Sequence, residues 1–460
     1  MNSNLMTRGL RKFQDMLGKS RQPKPLDERG LEKLRAQLQE CADGLGGEVS
    51  ARQRALRLGE TYQRLDEAGK QAFLRLIATG FGPDPEKVAQ AHAEYQQAIG
   101  TPAQWEAEAR LWSALRSPRT RILTQFNALP QGVRFLVELR VDLLRFLQDD
   151  PELASLDREL EFALSSWFDV GFLELRRITW NSPAALLEKL IEYEAVHTIH
   201  SWTDLKNRLD SDRRCYGFFH PRMPDEPLIF VEVALTDQLA GDVQQLLDID
   251  APVFDTRAAD TAIFYSISNT QDGLRGVSFG NFLLKRVIDD LQRDLPQLKQ
   301  FATLSPLPTL RRWAEKHPEA WTQAFLPGDL ERLSRLAAIP ATVDAVKALL
   351  EQPDWAEIPR LSRALQAPLT RLAAQYLLTA KNQERLYDPV ARFHLGNGAR
   401  IERLNFLADT SAKGLSQSYG MMVNYLYEPG AIEENVEALL RQGRIAASSS
   451  VRHAARAGSK

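Results

Sequence analysis

The stretch TAIFYSISNTQDGLRGVSFGNFLLKRVIDDLQRDLPQLKQFATLSPLP, residues 261–308, decides how the second half of the chain folds. Its first residues are rich in aromatic and β-branched side chains and lack charge, which predicts a buried strand. A glycine-rich turn follows, then apolar residues at helical spacing in LLKRVIDDLQRDLP, and then the apolar run FATL. The stretch therefore predicts a strand, a turn, an amphipathic helix and a second strand.

The turn within this stretch has the composition of a phosphate-binding segment. Gly273, Gly276 and Gly280 keep it free of side chains, so backbone N–H groups and the positive end of the next helix can approach a phosphate closely. Three basic residues stand beside it: Arg275, Lys285 and Arg286. The turn matches neither a Walker A motif nor a G-x-G-x-x-G fingerprint, so a plain tight turn stays the alternative.

Ser305 stands at the end of the second strand, directly before the turn Pro306 to Pro308. Proline fixes its own φ and pushes the preceding residue toward extended geometry, so Ser305 has little backbone freedom. Such a serine can aim its hydroxyl at a ligand. It can equally well only end a strand, because turn chemistry needs no function.

The segment ARFHLGNGA, residues 391–399, predicts a strand that carries His394 and ends in a flexible polar turn. An imidazole at such an edge can exchange protons, and a packed, hydrogen-bonded histidine is the alternative. His197 and His200 have a spacing that could hold a metal ion on a helix, but no carboxylate motif completes the site. We therefore expect no metal site.

The two halves of the chain differ in pattern. From Leu26 to about Phe162, apolar residues recur at spacings of three and four, which predicts several antiparallel helices. The second half alternates short strands with helices and then returns to helix. We expect a helical domain over residues 1–162, a mixed α/β domain over 163–445 with a helical insertion at about 309–384, and a disordered tail over 446–460.

The composition of the 460 residues is that of a soluble globular protein. Hydrophobic residues make up 44%, and no run approaches the ~18 consecutive apolar residues of a membrane span. A net charge of −2 gives no general attraction to nucleic acid. The two cysteines, Cys41 and Cys215, fit a reducing interior. We expect a cytoplasmic protein, and the basic residues 1–22 leave mitochondrial-type targeting open.

Several segments of the second half resemble the malonyl-CoA decarboxylase family. They are SSWFDVGFL (165–173), EAVH (194–197), RRCY (213–216), TAIFYSIS (261–268), LRGVSFGNFLLKRV (274–287), LSPLP (304–308), DPVARFHLGNGA (388–399) and YGMMVNYLY (419–427). They occur in family order, and the helical first half resembles the family more loosely. Several independent motifs in the right order are far more specific than any one of them.

The resemblance implies a GNAT-like mixed α/β catalytic domain, preceded by a helical domain used in oligomerisation. It implies a lyase of fatty acid metabolism that converts malonyl-CoA to acetyl-CoA and CO2 without a metal or an organic cofactor. A homo-oligomer, a tetramer by family resemblance, is implied as well. No nucleic acid or membrane partner is expected.

The family's catalytic serine, histidine and tyrosine fall on Ser305, His394 and Tyr427. Its acyl-CoA-binding turn falls on seven consecutive residues: Arg275, Gly276, Val277, Ser278, Phe279, Gly280 and Asn281. The chain departs from the family at Ser278, a position that is acidic in some members. It also lacks the strict R-x-x-G-x-G/A acetyltransferase signature.

The resemblance suggests a different catalytic role for Ser305 and for His394. Ser305 is expected to hold the malonyl carboxylate, while His394, near its ordinary pKa of about 6.5, donates a proton to the thioester enolate. The serine could also relay that proton. Two other functions stay open: an acyl-CoA N-acyltransferase on the same fold, and a non-catalytic helical scaffold.

Overall fold

The fold is taken from a computed structural model that describes most of the chain. The described residues are 25–44, 48–277, 283–352, 354–383 and 385–456. The chain divides into two compact units. The first comprises Met1–Asp169 and Gln271–Ser278, and the second comprises Val170–Thr270 and Phe279–Lys460.

The described part of the first unit is helical, as the sequence predicts. Its helices are α1 (Glu28–Asp43), α2 (Glu48–Gln63), α3 (Glu67–Gly80), α4 (Pro85–Ala98), α5 (Gln104–Leu115), α6 (Pro118–Asn127), α7 (Gly132–Phe146) and α8 (Ala154–Trp167). Capping residues fix several of their starts. The Asp84 side chain accepts hydrogen bonds from the first turn of α4, with Pro85 as its first residue.

The turn Gln271–Ser278 belongs to the first unit, although the strand before it and the helix after it belong to the second. A buried arginine on α7, Arg140, holds this turn. Its Nη1 donates to the carbonyl oxygens of Gly273 at 3.0 Å and Arg275 at 2.6 Å. Its Nε donates to Asp157 on α8 at 2.9 Å, which compensates the buried charge.

The described glycines of the turn make room for protein atoms. A Cβ at Gly273 would lie 2.0 Å from the carbonyl oxygen of Val137 on α7. Gly276 has a φ of +87°, and a Cβ there would lie 2.7 Å from Oε1 of Glu161. The sequence predicts phosphate contact for both glycines, whereas packing against the Val137 carbonyl already requires Gly273 and the positive φ already requires Gly276.

The second unit is built on a mixed sheet of eight strands. The strands of the unit are β1 (Glu174–Ile178), β2 (Arg213–His220), β3 (Met223–Thr236), β4 (Thr261–Asn269), β5 (Gln300–Thr303), β6 (Ser305–Pro306), β7 (Lys381–Asn382), β8 (Arg385–Leu386), β9 (Arg400–Asn405) and β10 (Met422–Tyr427). The sheet order is β1-β2-β3-β4-β5-β10-β6, with β9 also paired to β10, while β7 and β8 pair separately.

The segment 261–308 folds as predicted in its described residues. Strand β4 runs parallel to β5, with Thr261 opposite Gln300. The crossover between them contains the helix Leu283–Asp294, which buries Val287 and Leu291 completely. Parallel neighbours require such a crossover, so the alternation of strand and helix patterns was sufficient to predict it.

Further helices complete the second unit. The helices before the insertion are α9 (Ala184–Tyr193), α10 (Trp202–Arg208), α11 (Val243–Leu247) and α12 (Leu283–Asp294). The insertion contains α13 (Leu310–Lys316), α14 (Pro318–Ala324), α15 (Pro327–Ala337), α16 (Val343–Leu350) and α17 (Pro359–Thr379). The helices after it are α18 (Pro389–Gly396), α19 (Ala412–Ser418), α20 (Ile432–Gln442) and α21 (Ser449–Arg456). The predicted fold class, a helical bundle followed by a mixed α/β domain with a helical insertion, is confirmed. No described helix is long and apolar enough to cross a membrane.

The expectation of a disordered tail from residue 446 is wrong for the described residues. Helix α21 covers Ser449–Arg456 and buries Val451. Arg452 donates to the carbonyl oxygens of Ala447 and Ile445, and Ala447 pairs with Ile401 of β9. The small, polar composition of the tail gave no indication of these tertiary contacts. Residues 457–460 lie outside the described residues.

The close approach at Gly273 predicts the effect of adding one methyl group. In Gly273→Ala, either the turn or α7 must shift, and we expect the free energy of unfolding to fall by about 2 kcal/mol or more. Denaturant unfolding measures this change. The matched control is Gly328→Ala on α15, where a Cβ meets nothing within 4 Å and stability should be unchanged or slightly higher. Equal stability of Gly273→Ala and the wild type would contradict the packing described.

Candidate active site

Ser305 lies in the two-residue strand β6, where it pairs with Val423 of β10. Its side chain is buried, with 5% of the residue exposed. Pro306 follows in the same strand and pairs with Met422. The strand position and the proline together fix the backbone of Ser305, as the sequence argument predicted.

His394 lies on helix α18, not on the predicted strand. Asp388 caps this helix by accepting from the Ala391 N–H at 2.8 Å, and Pro389 is its first residue. Short apolar runs fit both periods, so the pattern in ARFHL was ambiguous. The Asp-Pro pair is a helix-start signal that could have corrected the prediction. The helix places His394 in its last turn, where it is buried.

The structure brings Ser305, His394 and Tyr427 together. His394 Nε2 lies 3.2 Å from Ser305 Oγ, and Nδ1 lies 2.8 Å from the Tyr427 hydroxyl. The Tyr425 ring stacks on the imidazole, with ring centroids 4.6 Å apart and an angle of 25° between the planes. These contacts fix the imidazole at both nitrogens and on one face.

Thr303 is a member of this site that sequence reasoning missed. Its hydroxyl accepts from Ser305 Oγ at 2.8 Å and from the Tyr425 N–H at 3.1 Å, and the residue is fully buried. Because Ser305 donates to Thr303, its Oγ is left to accept from His394 Nε2. The ring proton is then on Nε2, and the Tyr427 hydroxyl donates to Nδ1. The spacing of Thr303 and Ser305 by two residues was the signal available in the sequence.

A buried tyrosine supports the helix that carries His394. The Tyr376 hydroxyl, on α17, donates to Asp388 Oδ2 at 2.7 Å and also contacts Thr309 Oγ1 at 2.5 Å. Burial raises the pKa of Asp388 above its ordinary value, while the cap and the tyrosine act in the opposite direction. The insertion thus contributes to the position of the imidazole through one buried hydrogen bond.

Burial sets the protonation of the site. It lowers the pKa of His394 to about 3, so the ring is neutral at physiological pH. The expectation of a pKa near 6.5 was wrong, because the desolvation of His394 depends on tertiary packing that local sequence does not specify. Burial also raises the pKa of Tyr427 and of Tyr425 well above the ordinary tyrosine value, which keeps both hydroxyls protonated.

The predicted acyl-CoA turn is described only in part. Arg275, Gly276 and Val277 lie in the first unit, whereas Ser305, His394 and Tyr427 lie in the second. The Arg275 side chain is exposed while its carbonyl is held by Arg140, and Val277 is buried. Four predicted members lie outside the described residues: Ser278, Phe279, Gly280 and Asn281.

Two other basic residues of the stretch have different surroundings. Arg286 on α12 donates to the carbonyl oxygen of Leu173 at 2.6 Å, which gives it a structural contact. Lys285 on the same helix is exposed. Of the two predicted phosphate contacts on α12, only Lys285 therefore keeps its side chain in solvent.

The histidine pair in AVHTIH lies in a loop after α9 and not on a helix. His197 is buried, and burial lowers its pKa to about 4. Its backbone N–H donates to Glu194 Oε1 at 2.7 Å. Within the described residues, no group of three or more histidine, cysteine or acidic side chains could hold a metal ion.

Family models of known proteins match most of the chain. Residues 81–168 match the family model of the malonyl-CoA decarboxylase N-terminal domain, and residues 171–460 match that of the C-terminal domain. The chain belongs to the malonyl-CoA decarboxylase family. The resemblance seen in the sequence is confirmed, and so is the prediction of a carboxy-lyase family.

Curated relatives and a solved structure agree with the family assignment. The chain is 39% identical over 420 residues to the mitochondrial malonyl-CoA decarboxylase of Anser anser anser, which is 87% of this chain and 83% of the relative. It is 40% identical over 385 residues to the Mus musculus enzyme of that name, which is 80% of this chain and 78% of the relative. The crystal structure of malonyl-CoA decarboxylase from Rhodopseudomonas palustris is similar with a TM-score of 0.82 and 42% identity, covering 92% of this chain and 99% of that one.

The lowered pKa of His394 predicts how stability depends on pH. The folded pKa of about 3 lies below the unfolded value of about 6.5, so the unfolded chain takes up the proton first as the pH falls. The stability contributed by the neutral ring is present above pH ~6.5 and is lost progressively toward pH ~3.

We expect wild-type stability to fall more steeply between pH 6.5 and 4.5 than that of His394→Gln, with an extra slope of up to about 1.4 kcal/mol per pH unit. Unfolding in denaturant at several pH values measures it. His92→Gln, at an exposed histidine, is the control and should follow the wild type. Parallel pH profiles of wild type and His394→Gln would show that the ring is not buried and neutral.

Proposed function

We propose that this chain converts malonyl-CoA to acetyl-CoA and CO2, the activity for which its relatives are named. The observation that carries the proposal is the buried chain of hydrogen bonds from Tyr427 through His394 to Ser305. The resemblance implies that the family's catalytic serine, histidine and tyrosine fall on these residues. Their contact supports the proposed roles.

The reaction needs little from the protein besides orientation, stabilisation and a proton. The bond between the carboxylate carbon and the α-carbon breaks, and its electron pair moves into the thioester, which becomes an enolate as CO2 leaves. One proton then adds to the α-carbon, so one proton is consumed in each turnover. Because the thioester itself accepts the electrons, we propose a reaction without metal or organic cofactor.

A buried site favours this step. Ser305 and His394 are 5% and 3% exposed, so a malonyl carboxylate beside them loses most of its water. A localised negative charge is costly in such a medium, whereas the transition state spreads the charge over CO2 and the thioester. We assign to Ser305 the hydrogen bond that holds the carboxylate in the orientation for cleavage, for which its hydroxyl proton turns from Thr303 to a carboxylate oxygen when the substrate binds.

His394 is assigned the proton transfer. Its ring is neutral without substrate, but a carboxylate or enolate nearby favours the charged imidazolium and raises the pKa of the ring. Binding of the substrate therefore favours the protonated form of His394 that the reaction requires. In the neutral ring the Tyr427 hydroxyl donates to Nδ1; when the ring takes up a proton from solvent, Nδ1–H donates to the Tyr427 oxygen instead, and the transferable proton on Nε2 lies beside Ser305.

The remaining expectations from the sequence stay proposals. We assign the coenzyme A part of the substrate to the turn from Arg275 to Asn281. The chain is proposed to act as a homo-oligomer through its helical domain. We keep the cytoplasm as the proposed compartment, although the vertebrate relatives are named mitochondrial.

An acyl-CoA N-acyltransferase is the second function to test against. Such an enzyme needs a base that takes a proton from an amine, and a histidine with a pKa near 3 is a weak base. The site therefore favours decarboxylation. Incubation of the purified chain with malonyl-CoA alone separates the two, because only a decarboxylase releases acetyl-CoA and CO2 without an amine acceptor.

Removal of the Ser305 hydroxyl or of the His394 imidazole should abolish most of the turnover. We expect Ser305→Ala and His394→Asn each to lower kcat for malonyl-CoA by about 100-fold or more, because each removes a preorganised donor. In the same assay, Thr303→Val should lower kcat, whereas Thr303→Ser, which keeps the hydroxyl, should restore it. Acetyl-CoA formation measures all four variants.

The control for this experiment is Ser416→Ala, at an exposed serine of α19, which should match the wild type. Thermal shift with coenzyme A should be retained in every variant, which separates lost chemistry from lost binding. Near wild-type turnover in His394→Asn would falsify the assigned proton transfer. Equal activity of Thr303→Val and Thr303→Ser would remove Thr303 from the site.

The exposed Arg275 tests the proposed coenzyme A turn. Its side chain is 74% exposed and forms a 3.9 Å ion pair with the exposed Asp272, while Arg140 holds only its carbonyl, so the guanidinium can reach a phosphate. We expect Arg275→Ala to raise KM for malonyl-CoA by about tenfold, with a smaller effect at high salt. Arg257→Ala, at a residue 89% exposed, is the control. An unchanged KM would exclude Arg275 from the site.

A further inference from the structure

The helical insertion carries a groove that the proposed reaction does not use. Its volume is about 270 Å³. Its lining consists of four arginines and one leucine: Arg332, Arg335, Leu336, Arg360 and Arg363. All five side chains belong to α15 or α17, within the second unit.

The helix patterns explain how the arginines come together. Helix α15 buries Leu333, and α17 buries Leu361 and Ala364. The arginines follow at a spacing of three residues on each helix, which places each pair on one exposed side. Two packed helices thus present two pairs of guanidinium groups to one groove.

The walls of this groove are held in place by a further arginine. Arg371 of α17 forms an ion pair with Asp329 of α15, and its Nε donates to the carbonyl oxygen of Ala324 at 2.7 Å. Asp329 also accepts from the Leu326 N–H at 3.1 Å, at the start of α15. The two helices are therefore fixed to each other beside the groove.

The four lining arginines have no such partner. Among the residues that the structure describes, no carboxylate lies within ion-pair distance of Arg332, Arg335, Arg360 or Arg363. The whole chain has 58 basic and 60 acidic residues, so its composition does not account for a groove lined by one sign of charge. Such a groove concentrates anions, because the positive potentials of its walls add.

We propose that this groove binds a small-molecule anion through a polyphosphate group. Guanidinium groups match phosphate oxygens with paired hydrogen bonds, and a lining of arginines without lysine favours that geometry. Four positive charges complement a triphosphate. The volume of the groove is just below that of a pocket that encloses a whole ligand. It therefore suits the phosphate group of a ligand whose remaining part extends outside the groove. Leu336, 42% exposed, offers an apolar contact for that part.

A small ligand fits this surface better than a membrane does. A bilayer is flat, and a protein that lies on it presents a broad basic face with apolar side chains that insert. Here the arginines converge on a concave groove, and its lining contains a single apolar residue. The site is also separate in sequence from the turn at Arg275 that we assign to malonyl-CoA.

Calorimetric titration of the full chain with inorganic tripolyphosphate tests the proposal. We expect salt-sensitive binding that weakens about tenfold or more in the double variant Arg360→Gln/Arg363→Gln, since two charged hydrogen-bond donors are lost. KM for malonyl-CoA should stay unchanged in that variant, and Arg275→Ala should keep the tripolyphosphate binding. The tripolyphosphate titration does not depend on the proposed malonyl-CoA reaction, so its outcome would be the same if the chain did not decarboxylate malonyl-CoA.

The matched control is Arg257→Gln/Arg441→Gln, which removes the same charge from exposed positions outside the groove. Equal binding by the wild type and the groove variant would overturn the proposal, as would an equal loss in the control. Titration with ATP identifies the source: tighter binding than tripolyphosphate assigns a nucleotide, and equal binding assigns the phosphates alone. Groove-dependent binding to phosphatidylserine-containing vesicles without affinity for tripolyphosphate would instead overturn the small-molecule assignment.

Discussion

The pairing of strand β10 with three other strands is the constraint on which the candidate active site depends. Tyr427 lies opposite Phe301 of β5, and Val423 lies opposite Ser305 of β6, while β9 pairs along the other edge. Register in a sheet is fixed residue by residue, so this strand sets the position of the tyrosine against that of the serine. Helix α18 then needs only to bring His394 between them.

Exclusion of water gives the assembled site its chemistry. Desolvation keeps the His394 ring neutral until an anionic group arrives, and it keeps the hydroxyl of Tyr427 protonated. With a neutral ring, the donation from Ser305 to Thr303 sets the direction of the hydrogen bonds back to Tyr427. In the proposed function, a substrate that carries its own carboxylate supplies the negative charge that such a site lacks.

Much of the fold followed from local patterns. The strand, helix and strand of residues 261–308 were predictable because periodicity and turn residues agree there. His394 was placed on a strand because five residues fit two periods, although Asp388 and Pro389 marked a helix start. The prediction of a disordered tail was wrong for a different reason: Val451 is buried and Ala447 pairs with Ile401 of β9, which is distant in sequence.

The sequence by itself determined the fold class and, through motifs in family order, the family and the three residues that meet in the site, because motifs and helical or strand periodicity are local properties. Only the tertiary structure decided that Thr303 accepts from Ser305 and that His394 is neutral. It also revealed that Gly273 is required by close packing against α7 and Gly276 by its positive φ. Hydrogen-bond direction, desolvation and close packing depend on neighbours that are far apart in the chain, and no local pattern specifies them.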